Sequence, residues 1–345
     1  MDMDERKIQI LASIIKDYIE TAEPVGSRTI AKKYDLGISS ATIRNEMADL
    51  EDMGYLDKTH SSSGRKPSDK GYRLYVDKLM GIPSLSYEEK LYIKNKILDS
   101  AIYQVDSMLK QAASLMSQLT NLISVAKTPS ISKSTIKALQ LLRVNKSDVL
   151  LIIVTNSGII KDNLVRLTKP LDDDMLIKIN NLLNFKLRNL TVEEINLKVI
   201  NSIKNDLRGY DDLFNTIISA LYDSLVNEDS SKVIVEGTSN IFDCPEYNSV
   251  DKARDFLSLI NDEKEMKEIL NKTGTLTVTI GSENQVKNAK DCSIITAQYT
   301  VGDMPIGSIG IIGPTRMPYS KILSIMNTVV AEINESISRH YYDDR

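Results

Sequence analysis

The sequence predicts an α+β multidomain protein. An N-terminal winged helix-turn-helix is expected over residues 1–80, a linker over 81–86, and a sheet domain in two segments, 87–190 and 273–345, interrupted by a mostly helical insertion at 191–272. Three observations predict this. Residues 23–75 hold a short polar helix that follows a turn and precedes a Gly-tipped basic loop. Gly81-Ile82-Pro83-Ser84 loosens and then breaks the preceding helix. Strand-like runs rich in branched residues lie before and after a helical block, as expected of one sheet opened by an insertion. The 345 residues, 42% hydrophobic and 26% charged, leave room for two or three globular domains.

From Asp4 to Thr21, Ile8, Leu11, Ile14, Ile15, Tyr18 and Ile19 recur at three- and four-residue spacing, which predicts a helix with one buried face. Glu23-Pro24-Val25-Gly26 stops it. Ser27 is a suitable N-cap for a short second helix, Arg28 to Tyr34, that buries Ile30. A third helix begins after Ser39 or Ser40 and stops at Met53-Gly54. Its apolar positions, Ile43, Met47 and Leu50, come once per turn, so Ser40, Thr42, Arg44, Asn45 and Ala48 are left facing outward.

An isolated helix with such a face would simply be solvated. A short helix and turn directly before it change the reading, because helix-turn-helix geometry aims the second helix into the major groove. Hydroxyls and helix N-terminal amides suit phosphate oxygens, and Arg and Asn make bidentate contacts to guanine and adenine. Tyr55 to Thr59 then predicts a strand, His60 to Gly64 a tip, and Arg65-Lys66-Pro67 the return strand of a wing. From Lys58 to Lys78, six basic residues face two acidic ones, a balance of +4 suited to phosphate contact. The candidate DNA contacts are therefore Ser27, Arg28, Ser39, Ser40, Thr42, Arg44, Asn45, His60, Arg65, Lys66 and Lys70.

Beyond the linker, Tyr87 to about Val125 carries a long helical pattern through Leu91, Ile97, Leu98, Ile102, Val105, Leu109, Leu115, Leu119 and Leu122. Thr135–Leu142 and Asp148–Thr155 are expected strands, with Asn156-Ser157-Gly158 as the hairpin turn into Ile159–Leu167. Helices are expected over Asp172–Leu190, Val192–Asn205, Asp211–Asn227 and Val250–Asn271, with a short strand at Lys232–Glu236 between the last two. Strands Leu276–Ile280, Cys292–Tyr299 and Pro305–Gly313 and a closing helix, Tyr319–Ser338, complete the pattern.

No catalytic, cofactor or metal site is expected. P-loop, HExxH and GxSxG patterns do not occur. With Cys244 and Cys292 the only cysteines and His60 and His340 the only histidines, neither a disulfide framework nor a zinc site is indicated. Asp172-Asp173-Asp174 fits the N-terminus of a helix, whose dipole favours anions, rather than a metal loop. The glycines at 307, 310 and 313 lie on an apolar strand-like run, where close strand packing accounts for them. Gly313-Pro314-Thr315-Arg316-Met317-Pro318-Tyr319 predicts a rigid turn, with Arg316 a candidate anion or partner contact. The net charge of −4 excludes a uniformly basic nucleic-acid coat, so any DNA face must be local. MDMDERK lacks the basic and apolar regions of an export signal, and the apolar run Val149–Val154 is far short of the ~20 residues of a span. A cytoplasmic setting is expected.

EPVGSRTIAKKYDLGISSATIRNEMADLEDMGYL, followed by SSSGRKPSDKGYRLYVD, resembles the winged-helix head of the HrcA heat-inducible transcription repressors, and GIIGPTRMPYSKI resembles that family's C-terminal signature. The family's wing usually runs Thr-Ser-Ala-Gly-Arg-Ile-Pro-Thr; this chain departs at several places and keeps Gly64, Arg65 and Pro67. The resemblance implies a GAF-like sheet domain with an inserted dimerisation domain, and a homodimer that binds a CIRCE-type inverted repeat upstream of chaperone operons. It also implies that the GroEL chaperonin modulates activity. Two rivals remain: a metabolite-responsive regulator that uses the GAF-like domain as a sensor, and an enzyme fused to a DNA-targeting head.

Overall fold

The computed structural model describes residues 3–58, 64–101, 105–129, 134–156, 160–167, 169–192, 194–226, 231–271, 274–302 and 304–342. The architecture is mixed α/β, with helices packed on antiparallel sheets.

The head contains α1 (Glu5–Thr21), α2 (Ser27–Lys33), α3 (Ser40–Asp52), β1 (Leu56–Lys58), β2 (Arg65–Pro67) and α4 (Asp69–Leu74), which runs into a π-helical turn at Tyr75–Leu79. Asp4 caps α1 by accepting from the Lys7 amide at 2.8 Å. Ile10, Leu11, Ile14 and Ile15 are fully buried, each such side chain stabilising the fold by ~1.5–3 kcal/mol. The expected Ser27 cap is corrected. Val25 is drawn into a bridge with Arg65, so the chain turns one residue earlier: Gly26 is the cap and Ser27 is already helical.

The expected single helix from Tyr87 to Val125 is also corrected, to α5 (Tyr87–Ala101), α6 (Val105–Thr120) and strand β3 (Ile123–Lys127). Asn121 adopts a left-handed φ of 55° and its amide returns to the Ser117 carbonyl, which ends α6. The short apolar run that follows has no periodicity to separate strand from helix, and pairing with a distant strand decides it.

β3 belongs to a five-stranded sheet of order β7-β3-β10-β9-β8, with β7 Val233–Glu236, β8 Leu276–Ile280, β9 Cys292–Val301 and β10 Met304–Pro314. Both faces are covered, so its strands are apolar at successive positions. Ile295, Ile309 and Ile311 join the core shared with α5, α6 and α12 (Tyr319–Tyr342). Ile123, Val125, Ile294 and Ile312 face α10 (Val250–Asn261) and α11 (Glu263–Leu270). The expected continuous helix over Val250–Asn271 breaks at Asp262, whose extended backbone lets its carboxylate cap α11. At Gly307 a Cβ would sit 2.0 Å from the Tyr299 hydroxyl, which itself donates to the Lys127 carbonyl.

The strands group differently from the expected division at 190/191 and 272/273. β4 (Ile136–Arg143), β5 (Asp148–Thr155) and β6 (Ile160–Arg166) form a separate three-stranded sheet. It shares one core with α7 (Asp173–Leu187), α8 (Leu197–Asp206) and α9 (Asp211–Val226), distinct from the cores around the larger sheet. This unit leaves the chain between β3 and β7, which pair with each other; the Thr128 amide donates to the Lys232 carbonyl at 2.9 Å. By contrast, the stretch 250–270 packs as a face of the larger sheet. Hydrophobic pattern identifies strands but not the sheet each joins, because register and partner are tertiary choices. As expected, Asp172 caps α7, accepting from the Met175 amide. The hairpin tip at Ser157-Gly158 lies outside the described residues.

Candidate nucleic-acid interface

α2 and α3 pack against each other and on α1, which leaves one stripe of α3 outside: Ala41, Arg44, Asn45 and Ala48 are exposed, while Ile43, Met47 and Leu50 are buried. Ser39 caps α3, its hydroxyl accepting from the Thr42 amide at 3.1 Å and lying 3.0 Å from the Thr42 hydroxyl. Ser40 and Thr42 are half-buried on the first turn. The amides of that turn, and its positive dipole end, are therefore presented beside Arg44 and Asn45.

The acidic residues of the same helix are withdrawn into ion pairs behind it. Lys7 holds Glu46 at 2.7 Å and Asp49 at 3.1 Å, and Arg65 holds Glu51 at 2.5 Å. The Lys7 ammonium is raised above its ordinary pKa, chiefly by its hydrogen bonds to Glu46 and Asp49, so it remains charged. Only Asp52, at the far end, is an exposed carboxylate of α3. Among the described residues Arg44 makes no ion pair, and its charge is available to a ligand.

The basic residues predicted as DNA contacts divide into two groups. Arg28 at the start of α2 is exposed and Lys66 on β2 half-exposed, both without side-chain partners among the described residues; Lys58 on β1, absent from the predicted set, is exposed in the same way. Arg65 and Lys70 are occupied within the head. Arg65 donates to Glu51, and Lys70 donates to the Met53 carbonyl at 2.8 Å with its ammonium 4.4 Å from the Tyr55 ring centre. Arg65 therefore holds the ribbon, and Lys70 holds α4, against the C-terminal end of α3. Ser27 is half-buried on the first turn of α2. His60, with the rest of the tip from Thr59 to Ser63, lies outside the described residues.

β1 and β2 pair antiparallel, Leu56 opposite Pro67 and Lys58 opposite Arg65, and Val25 extends the ribbon through paired bonds with Arg65 of 2.8 and 3.0 Å. Gly64 is buried at the root of the tip, where a Cβ would lie 2.6 Å from the Pro24 Cβ and 2.8 Å from the Pro24 carbonyl oxygen. Gly64→Ala is expected to displace the ribbon and cost ~1–3 kcal/mol, as overpacking does. Urea unfolding should show this as an earlier transition. The sequence shows the Gly; only the fold shows that Pro24 is what it must clear.

Under the five-stranded sheet, the space between Leu122, Ile241, Tyr247, Phe256 and Ile312 amounts to ≈ 10 Å³, at the lower limit for one water. Among the described residues no group of His, Cys, Asp and Glu is placed to hold a metal, and no helix is long and apolar enough to cross a membrane.

Comparison with known proteins identifies the family. The family model described as HrcA protein C terminal domain matches residues 106–323. A heat-inducible transcription repressor HrcA of Clostridium acetobutylicum is 52% identical over 339 residues, spanning 98% of this chain and 99% of its own length. The protein of that name from Acetivibrio thermocellus is 43% identical over 343 residues, with 98% and 97% covered. A crystal structure of a hypothetical protein shares the fold with a TM-score of 0.63 at 24% identity, covering 98% of this chain and 99% of that one. On this extent of identity along nearly the whole chain, the protein belongs to the HrcA family of transcription repressors.

Proposed function

We propose that this protein is a homodimeric, sequence-specific repressor of heat-shock chaperone operons that binds a CIRCE-type inverted repeat in double-stranded DNA through two winged helix-turn-helix heads. One observation carries the reading: the outward stripe of α3 holds free Arg44 and Asn45, while Glu46, Asp49 and Glu51 are neutralised on its other sides. Such a helix carries little repulsion toward phosphate and offers two side chains able to read base edges. Arg28, Lys58 and Lys66 are the phosphate contacts in this reading, and α3 enters the major groove. Repression follows from occupying promoter DNA and excluding polymerase, in the cytoplasm. The body acts as a GAF-like support, and the GroEL chaperonin helps the chain reach its active form, so chaperonin depletion on heating lowers repression.

An inverted repeat calls for a two-fold dimer. The outer face of the three-stranded sheet supports one. Cross-strand rows there run Leu142–Leu150–Leu164 and Ala138–Val154–Ile160, and between them Ile152 on the central strand is flanked by the exposed Gln140 and Asp162. Leu142, Ile160 and Leu164 are exposed by 41%, 53% and 58%. A solvated sheet face is ordinarily polar at these positions, and an apolar one marks an interface. The metabolite-sensor alternative gains nothing from the ≈ 10 Å³ space under the larger sheet, against the ~300–1,000 Å³ of ligand pockets; a cleft in that range, ≈ 370 Å³ and lined by residues that include Leu167, Leu171, Gly209 and Thr216, is on the smaller-sheet unit.

Titration of the full chain against an inverted-repeat duplex and a scrambled duplex at several salt concentrations tests the proposal. Three phosphate contacts per head predict a log–log salt slope of about −5 with the preference for the repeat retained. Equal affinity for both duplexes would remove the sequence-reading role.

A further inference from the structure

The turn that precedes α12 reaches into the head. Nε and Nη2 of Arg316 form a fork on Glu246 at 2.5 and 3.2 Å, and Nη1 donates to the Ile19 carbonyl at 2.8 Å. Ile19 lies in the last turn of α1, which has no basic residue of its own there, so a cation from the body meets the negative end of the head's longest helix. A fork that does cross the junction points the other way. Arg73, on α4 of the head, binds both carboxylate oxygens of Glu283 and donates to the Val278 carbonyl at 2.7 Å. Beside it, Asp69 accepts from the amide and hydroxyl of Ser282 at 2.8 and 2.9 Å. Between the forks the rings of Tyr72 and Tyr319 meet at 5.8 Å, and the Tyr72 hydroxyl is buried with no hydrogen-bond partner among the described residues. The linker is held as well: Ser320 and Ser324 of α12 donate to the Gly81 and Pro83 carbonyls.

Apolar stacking fills this junction but is non-directional. The guanidinium forks are planar, bidentate and directional. The Arg73–Glu283 fork crosses the junction, whereas the Arg316–Glu246 fork lies within the body and fixes the guanidinium whose Nη1 reaches the Ile19 carbonyl of the head. With one arginine donating from each side, they remove the rotation that a Gly-Pro linker would otherwise permit. We propose that Arg316 and Arg73 are positioning residues for operator reading: without touching DNA, they lock each head at one angle to the body and so set the half-site separation that a dimer accepts. The proposal rests on the DNA-reading function above. It assigns the Gly313–Tyr319 turn a role in specificity that its distance from α3 in the sequence conceals.

The test varies the distance between the two arms of the repeat one base pair at a time, with the full chain as wild type, Arg316→Gln, Arg73→Gln and the double variant. Wild type should bind with a sharp optimum, losing at least roughly tenfold when the arms move by two base pairs, because both heads can no longer engage together. The double variant should lose most of that dependence yet bind a single-arm duplex as wild type does. A purely structural role would instead weaken every duplex alike. Equally sharp optima in all four proteins would overturn the proposal. Wild type that ignores the repeat would overturn the DNA reading itself; limited proteolysis across residues 81–86 then tests the lock alone, with faster cleavage expected in the double variant and unchanged cleavage counting against it. Arg316→Lys, which keeps the charge but loses the fork, should fall between wild type and Arg316→Gln and guards against a variant that does not fold.

Discussion

Arg44→Ala is expected to weaken binding to the inverted-repeat duplex by on the order of 1–3 kcal/mol per head and to relax base preference at one position of each half-site. Two heads double the loss, so a dimer should bind roughly 30- to 30,000-fold more weakly. The side chain is exposed and unpaired among the described residues, so its removal leaves no orphaned carboxylate and thermal stability should barely change. Competition titrations with every single-base variant of the half-site would measure the effect. A uniform loss across all variants would reassign Arg44 to the phosphates. Arg65→Ala should behave differently. It uncouples β2 from Glu51 on α3, and the loss should appear in stability and in affinity for all duplexes, because the residue holds the ribbon in place.

Ile152→Asp is expected to convert the dimer to monomers and to lower operator affinity by about 10²–10⁴-fold through lost avidity. Ile152 is half-exposed at the middle of the outer face of β5, whereas its neighbours Leu151 and Ile153 are fully buried in the core on the other side. A carboxylate there leaves the unit's own core intact. In a two-fold interface the substitution occurs twice, so two unpaired charges would have to be desolvated. Sedimentation velocity reads the outcome directly. A variant that remains a dimer would show that the apolar sheet face is not where the copies meet.

The sequence by itself determined the local elements of the head. Among the described residues, three of its four helices, α1 to α3, end within a residue or two of where caps, Pro24 and Gly54 place them, and Ile43, Met47 and Leu50 mark the buried side of α3. The outward set of Arg44 and Asn45 follows from that periodicity alone, since a helix buries one face and exposes the other. Most strands of the body were legible in the same way, as apolar runs bounded by turns. What the periodicity could not carry is partnership. β3 looked like the end of a helix because its strand identity comes from pairing with β10 and β7. β4, β5 and β6 looked like part of the larger sheet because nothing local distinguishes two sheets. Arg65 and Lys70 looked free until Glu51 and the Met53 carbonyl were brought beside them. Arg316 showed as a rigid-turn residue, and only the folded chain brought it to Glu246 and, 297 positions away, to the Ile19 carbonyl of the head. Local structure depends on residues a few positions apart, whereas sheet membership and ion pairing depend on groups that only the folded chain brings within a few ångströms.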